Sequence, residues 1–324
     1  MGGDFEQRAS RRGAAGGDVR MSDVPQEYVE ACLERLSEEC VEGEPKTPLL
    51  RILERAIRRD QLVLPMVSTT LTRVLGLLER PDVAITDLAL AVETDPALAT
   101  KIVGVANSAA YAGIDSASSV HDALMRVGLE QAKTIIAGVA FRSSVFHMPG
   151  FEREMDMLWQ RSLANALATL ALLEHDPRWR DSAFLLGLVQ DVGRIVLLAT
   201  VAAATAKKTK TPSAAAIEAA GDVIRCELGA IALSAWAFDD DLVDAVVWQE
   251  QPEKCPEASR PLAKGLYAAD TLIHLGMRGW QPGANADSDM MVGELVEPLG
   301  FELQQMAEVL ALVEGGMSAF SKLG

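Results

Sequence analysis

Along most of this 324-residue chain the apolar residues return every three or four positions, and no segment sustains alternation over a strand's length. Side chains spaced that way share one face of a helix, whereas a half-buried strand shows a period of two. Val67, Leu71, Val74, Leu75 and Leu78 form one such stripe, which stops before Pro81. Leu98, Ile102 and Val105 form another. There Asp95 can cap the helix, and Pro96, with no N–H to leave orphaned, suits its first turn. Residues 119–141 read as two short helices meeting near Gly128. The stretches 158–176, 182–206, 213–238, 241–253 and 261–276 are each helical by composition. With no Asn-Gly hairpin turn and no strand pattern, the fold class is all-α.

Hydrophobic residues at 49% suffice for a large core, and aromatics at only 5% suit packed helices better than a sandwich or barrel. The formal net charge of −16 opposes binding to nucleic-acid phosphates or an anionic membrane. Cys32, Cys40, Cys226 and Cys255 form no C-x-x-C and are expected to be reduced thiols of a cytoplasmic protein. No unbroken apolar run reaches the roughly 18–20 residues of a membrane span. The longest, 195–206, is followed by Lys207, Lys208 and Lys210, which suit the negative end of a helix. Residues 1–24 are polar and glycine-rich with no apolar centre, so they read as a disordered tail rather than a signal peptide, with Met21 an alternative start. Residues 25–61 read as a helical lead-in, a pair with stripes at Tyr28, Cys32, Leu36 and at Leu50, Leu53, Ile57. The main domain is expected over 62–275, in lobes of about 62–150 and 151–275. A loop and closing helices occupy 276–324.

The segment GLVQDVGRIVLL, 187–198, has the form of a helix carrying a metal-binding His-Asp pair, with Gln190 where the histidine would stand. Two further stretches place it. DPALATKIVGVANSAAY (95–111) precedes SSVHDALMRVGLEQAK, and LWQRSLANA (158–166) precedes AFLLGLVQDVGRIVL (183–197), ELGAIALSAWAFDDDLVDAVVWQEQP and YAADTLIHLG. In order and content these resemble the HDOD domain of bacterial signalling proteins, a branch of the HD superfamily of metal-dependent phosphohydrolases. The resemblance covers roughly 62–275 and implies a two-lobed helical domain. Its hallmark block corresponds here to Asp95, Pro96, Asn107, Ser108 and Tyr111.

An HD hydrolase holds its metal between helices with histidines and carboxylates, and the metal lowers the pKa of a bound water. By this resemblance the early histidine falls on Arg161 and the His-Asp pair on Gln190 and Asp191. The later histidine pair falls near Trp248, Gln249 and Glu250, and the late aspartate on Asp270. Only the carboxylates remain. Of His121, His147, His175 and His274, only His274 stands near such a position, one turn past Asp270. The resemblance therefore implies a vestigial site with no catalytic residue, metal or cofactor. Two buried carboxylates without a metal repel each other unless a cation intervenes, so Arg161 is expected to clamp Asp191, Asp270 or both.

The function this implies is a non-catalytic signalling scaffold whose partner is another protein. Two alternatives use the old site: a degenerate phosphodiesterase with Mg²⁺ or Mn²⁺ on Asp191 and Asp270, or a sensor of a nucleotide or other small ligand. Residues 85–108 imitate a helix-turn-helix, but Lys101 is the only basic residue there, too few for a reader of DNA. Asn107 and Ser108 are expected to end their helix and bond a neighbouring segment. Asp239, Asp240 and Asp241 cannot share one helix face and read as a cap. Met155, Met157 and Trp159 read as core filling.

Overall fold

Several helices start where the sequence supplies an acceptor for their orphaned N–H groups. Asp95 accepts from the amides of Ala97 and Leu98 with Pro96 in the first turn, Ser119 from Asp122, Ser213 from Ala216, and Asn285 from Asp287 and Ser288. The computed structural model describes residues 24–320 except 39, 42–43, 46–47, 79, 81, 109–110, 112–115, 206–211 and 278. The N-terminal tail to residue 23, with Met21, and the cluster Lys207, Lys208, Lys210 lie outside the described residues.

In chain order the helices are α1 (Gln26–Glu38), α2 (Pro48–Arg58), α3 (Thr69–Leu78), α4 (Ile85–Glu93), α5 (Pro96–Ala106), α6 (Val120–Val127) and α7 (Leu129–Ser144). After a short loop come α8 (Glu152–Leu173), α9 (Arg180–Val189), α10 (Val192–Thr205), α11 (Ala214–Ala235), α12 (Asp240–Val247) and α13 (Arg260–Met277). Two more, α14 (Ala286–Val296) and α15 (Leu303–Phe320), close the described chain. The protein is all-α. Among the described residues the strand structure is a two-residue antiparallel ladder, Cys40–Val41 against Glu44–Pro45, too short to show any alternation in sequence.

Helices α3 to α7 pack on one another, as do α8 to α13, and α7 meets α9 between the two groups. The lead-in is part of the body: α1 lies along α11, and α2 against α10 and α11. One large hydrophobic cluster runs through both groups and takes in Cys32, Leu36, Leu50 and Leu53 of the lead-in. A second, smaller cluster joins the outer face of α8 to α13, α14 and α15.

Two glycines let the site-bearing helices approach closely. A Cβ on Gly187 of α9 would lie 2.6 Å from the Cα of Ala166 on α8. One on Gly193 of α10 would overlap the Arg225 carbonyl of α11. Any larger residue at either position would push apart the helices that carry or flank Asp191 and its partners.

Three local expectations need correction or refinement. Met155 and Trp159 are buried, but Met157 is 60% exposed, because α8 is amphipathic here and turns that side to solvent. Asp239 stands at the N-cap of α12 without a side-chain capping bond, while Asp241 accepts from Ser259 Oγ and faces Arg178. The span Arg180–Thr205 is apolar enough on average to cross a bilayer, yet 89% of its apolar window is buried within the protein, which makes it core. It is also two helices, broken at Gln190–Asp191.

Candidate functional site

Asp191 sits at the break between α9 and α10, 1% exposed, with three arginines around it. Arg225 of α11 donates from Nη1 to its Oδ1 at 2.7 Å. Arg161 of α8 brings Nε to 3.0 Å from Oδ2, and Arg194, one turn along α10, brings Nε to 3.5 Å from Oδ1. These last two are ion pairs without the alignment of a hydrogen bond.

Asp270 of α13 completes the arrangement. Arg161 Nη2 reaches its Oδ1 at 3.1 Å, and Arg225 Nη2 reaches its Oδ2 at 3.3 Å. Two guanidinium groups thus bridge the two aspartates, one from each side. Arg225 Nε donates in addition to Glu250 at 2.9 Å, so all three of its nitrogens face acceptors. Arg194 turns its far end outward to Asp222, across the place where a Cβ on Gly221 would collide with it.

Amides tie the network to the helices. Gln249 Nε2 donates to the carbonyls of Gln190 and Val246, both at 3.1 Å, and its Oε1 lies 3.4 Å from Arg225 Nη1. Asn165 donates to the Arg161 carbonyl and reaches Asp270. Gln190 itself is fully buried, and its side-chain amide makes no hydrogen bond within the protein.

Burial alone would push the Asp191 carboxyl up. The positive charges of Arg225, then Arg161 and Arg194, outweigh that and hold it well below the usual carboxylate range. The same pairing raises the Arg225 and Arg161 pKa values.

The donor set does not fit the divalent metal of an HD hydrolase. Every oxygen of Asp191 and Asp270 faces a guanidinium, the other positions that the resemblance matches to the superfamily's ligands hold Arg161, Gln190, Trp248, Gln249 and Glu250, and the one carboxylate among these, Glu250, is paired with Arg225. An arginine offers no lone pair to a metal, and an amide oxygen is a poor substitute for imidazole. His121, His147, His175 and His274 are all exposed. Among the described residues there is no group of three or more His, Cys, Asp or Glu placed to hold a metal ion.

Arg161, Gln190, Asp191, Gln249, Glu250 and Asp270 therefore share one site, which also contains Arg194 and Arg225. Arg194 could have been suspected, since it is the lone basic residue in the long apolar stretch 183–206. Arg225 offered less: Asp222 and Glu227 flank it and give that turn of α11 the look of a solvated face.

The hallmark block lies elsewhere. Asp95 and Pro96 begin α5, and Asn107 ends it, donating to the Ala117 carbonyl while its Oδ1 accepts from Ala117 N and from Arg126. Ser108 is buried with its hydroxyl unpartnered. Half-buried Tyr111 lines a groove of about 1210 Å³ between the two helix groups, together with Lys133, Trp179, Phe184 and Phe320. Lys101, the lone basic residue of the helix-turn-helix-like segment, reaches Ser143. Cys32, Cys226 and Cys255 are buried free thiols.

A helical body of this topology, with an aspartate at a helix break and a second on a later helix, is that of an HD-like domain. Residues 64–252, more than half of the chain, match the HDOD domain, and the chain belongs to the HDOD family. A candidate phosphohydrolase of Shewanella amazonensis SB2B shares the fold with a TM-score of 0.62 at 21% identity, over 84% of this chain and 98% of its own. A candidate signal transduction protein of Marinobacter aquaeolei VT8 does so with a TM-score of 0.62 at 21% identity, over 92% of this chain and 65% of its own. An uncharacterised protein of Treponema pallidum (strain Nichols) is 22% identical over 218 residues. That match takes in 65% of this chain and 42% of the relative, so the chain spans less than half of that protein's length.

Proposed function

We propose that this chain is a non-catalytic HDOD module, a cytoplasmic bacterial signalling scaffold that acts by binding another protein. The observation that carries the reading is the double bridge of Arg161 and Arg225 between Asp191 and Asp270, fixed positive charge between the two carboxylates that the resemblance matches to metal ligands. The carboxylates are retained and neutralised, which preserves the packing of α8, α10, α11 and α13 without the nucleophile chemistry. The similarity in fold to a candidate signal transduction protein is in keeping with a signalling role. The buried free thiols suit a reducing compartment. A phosphate-bearing ligand at this site has less support, because each guanidinium already faces carboxylates.

Elemental mass spectrometry tests the reading, on the 324-residue chain incubated with Mn²⁺, Fe²⁺, Zn²⁺ and Mg²⁺ and then desalted, alongside a phosphodiester hydrolysis assay. The expected result is folded protein without stoichiometric metal and without metal-stimulated hydrolysis. Near-stoichiometric metal that is lost in Asp191→Asn would overturn it and restore the phosphodiesterase alternative.

A further inference from the structure

Helix α15 is attached to the rest of the molecule in two unlike ways. Its earlier turns bury Met306, Val309 and Val313 in the smaller hydrophobic cluster, against Ala164, Ala168 and Leu172 of α8. Its last residue, Phe320, is 4% exposed and belongs to the large cluster instead. The ring fills a socket: a Cβ on Gly138 of α7 would lie 2.7 Å from Phe320 Cε1 and 3.7 Å from Phe184 Cζ of α9. Trp159 of α8 meets it edge-on, with centroids 6.4 Å apart and planes at 62°. Trp159 also takes an edge contact from Phe146 at 5.4 Å and lies beneath the Arg142 guanidinium at 5.1 Å. The socket walls thus come from both helix groups, α7 on one side and α8 and α9 on the other.

Between the two attachments stand Gly315 and Gly316. Gly316 has a steric reason, because a Cβ there would lie 2.7 Å from Leu167 Cδ1. Gly315 has none, since nothing lies within 4 Å of where its Cβ would be. Glycine is among the poorest helix formers, so two in succession weaken the helix between its anchored part and its final turn. Phe320 is the buried side chain that holds that turn in the large cluster, and half-buried Met317 beside it packs against both clusters.

The geometry points to a latch: the final turn of α15, hinged at Gly315–Gly316, pins the two helix groups together through Phe320 and frees them when it unwinds. Leu312, Gly316 and Phe320 also form one wall of the 1210 Å³ groove, so release of the latch widens the groove along its length. No residue of the arginine–carboxylate network contributes to the socket, and the latch does not depend on whether that network is catalytic.

Hydrogen exchange read by mass spectrometry on the full chain decides the matter, comparing wild type, Phe320→Ala and Gly315→Ala. In Phe320→Ala the amides around Gly138 in α7 and Phe184 in α9 are expected to exchange at least about ten-fold faster, while α14 and the first turns of α15 keep their protection. Gly315→Ala is expected to slow exchange at those same α7 and α9 sites about five-fold, by stiffening the hinge. Faster exchange confined to the end of α15, or a Gly315→Ala protein unchanged in α7 and α9, would show that Phe320 merely anchors its own helix. Should Phe320→Ala not fold, Gly315→Ala decides alone: slowed exchange at Gly138 and Phe184 supports the latch, and unchanged exchange overturns it.

Discussion

Asp191 is the residue on which the site turns, and Arg225 is its strongest partner, with a 2.7 Å bond, 6% exposure and two further carboxylates in reach. Removing Arg225 leaves a buried carboxylate short of its best counter-charge, which typically destabilises a protein by about 3–5 kcal/mol. Arg225→Ala is therefore expected to lower the urea midpoint by an amount matching that loss. Arg161→Ala should do so by less, because that side chain is 22% exposed and Asp191 keeps Arg225. The pH dependence follows from the depressed carboxyl of Asp191. A group whose folded pKa lies below its unfolded value, about 3.9 for aspartate, stabilises fully above that value and loses the contribution as pH falls towards the folded one. Urea midpoints measured downward from about pH 6 should thus fall steeply below about pH 4, and Asp191→Asn should flatten that limb while lowering stability at neutral pH. Equal slopes in the two proteins would remove Asp191 from the acid response. The clamp by Arg161 was legible in the sequence once the family's positions were laid on it, because a cation stood where a ligand should. Arg225 was not, because its local neighbours are ordinary helix-surface charges and only the crossing of α11 over α10 buries it.

At the scale of elements, the caps and stripes that mark helices α3 to α7 are local facts, and local chemistry is what a sequence displays. The break between α9 and α10 is not local. Residues 182–206 read as one apolar helix, with no proline or paired glycine at the point of interruption. The structure interrupts it because the Gln190 carbonyl is taken by Gln249 from the turn after α12 and Asp191 is drawn to arginines on three different helices. The same limit applies to Gly193, whose need to be glycine appears only when α11 lies against it. Gly193→Ala is expected to cost about 3 kcal/mol or more, since its methyl would meet backbone that cannot rotate away. Gly104 of α5 supplies the contrast: nothing lies within 4 Å of where its Cβ would be. Gly104→Ala should then stabilise by about 0.5–1 kcal/mol through helix propensity alone. Urea unfolding of the two variants tests both, and a Gly193→Ala protein as stable as wild type would mean that α10 and α11 can separate freely.

For the molecule as a whole, the family match and the structural unit differ in extent. The match ends at residue 252, yet Asp270, half of the bridged carboxylate pair, lies beyond it on α13. It begins at residue 64, yet α1 and α2 place Cys32, Leu36, Leu50, Leu53 and Ile57 in the same hydrophobic cluster as α10 and α11. Full burial of one such aliphatic side chain stabilises by roughly 1.5–3 kcal/mol. Losing four of them approaches the roughly 5–15 kcal/mol that separates a native domain from its unfolded chain. A fragment of residues 64–252 loses those contacts, exposes the α10–α11 face they cover, and leaves Arg161 and Arg225 without Asp270. It is expected to lack a fixed core: helical by far-ultraviolet circular dichroism, without near-ultraviolet signal, and bright with a hydrophobic dye. Restoring α13 alone repairs the charge balance but not the exposed face, so residues 64–277 should behave in the same way, whereas residues 24–320 should unfold in one cooperative step. A cooperative transition in the shorter fragment would mean that the lead-in helices are an accessory, and that the apolar face of α10 and α11 is stable in water without them.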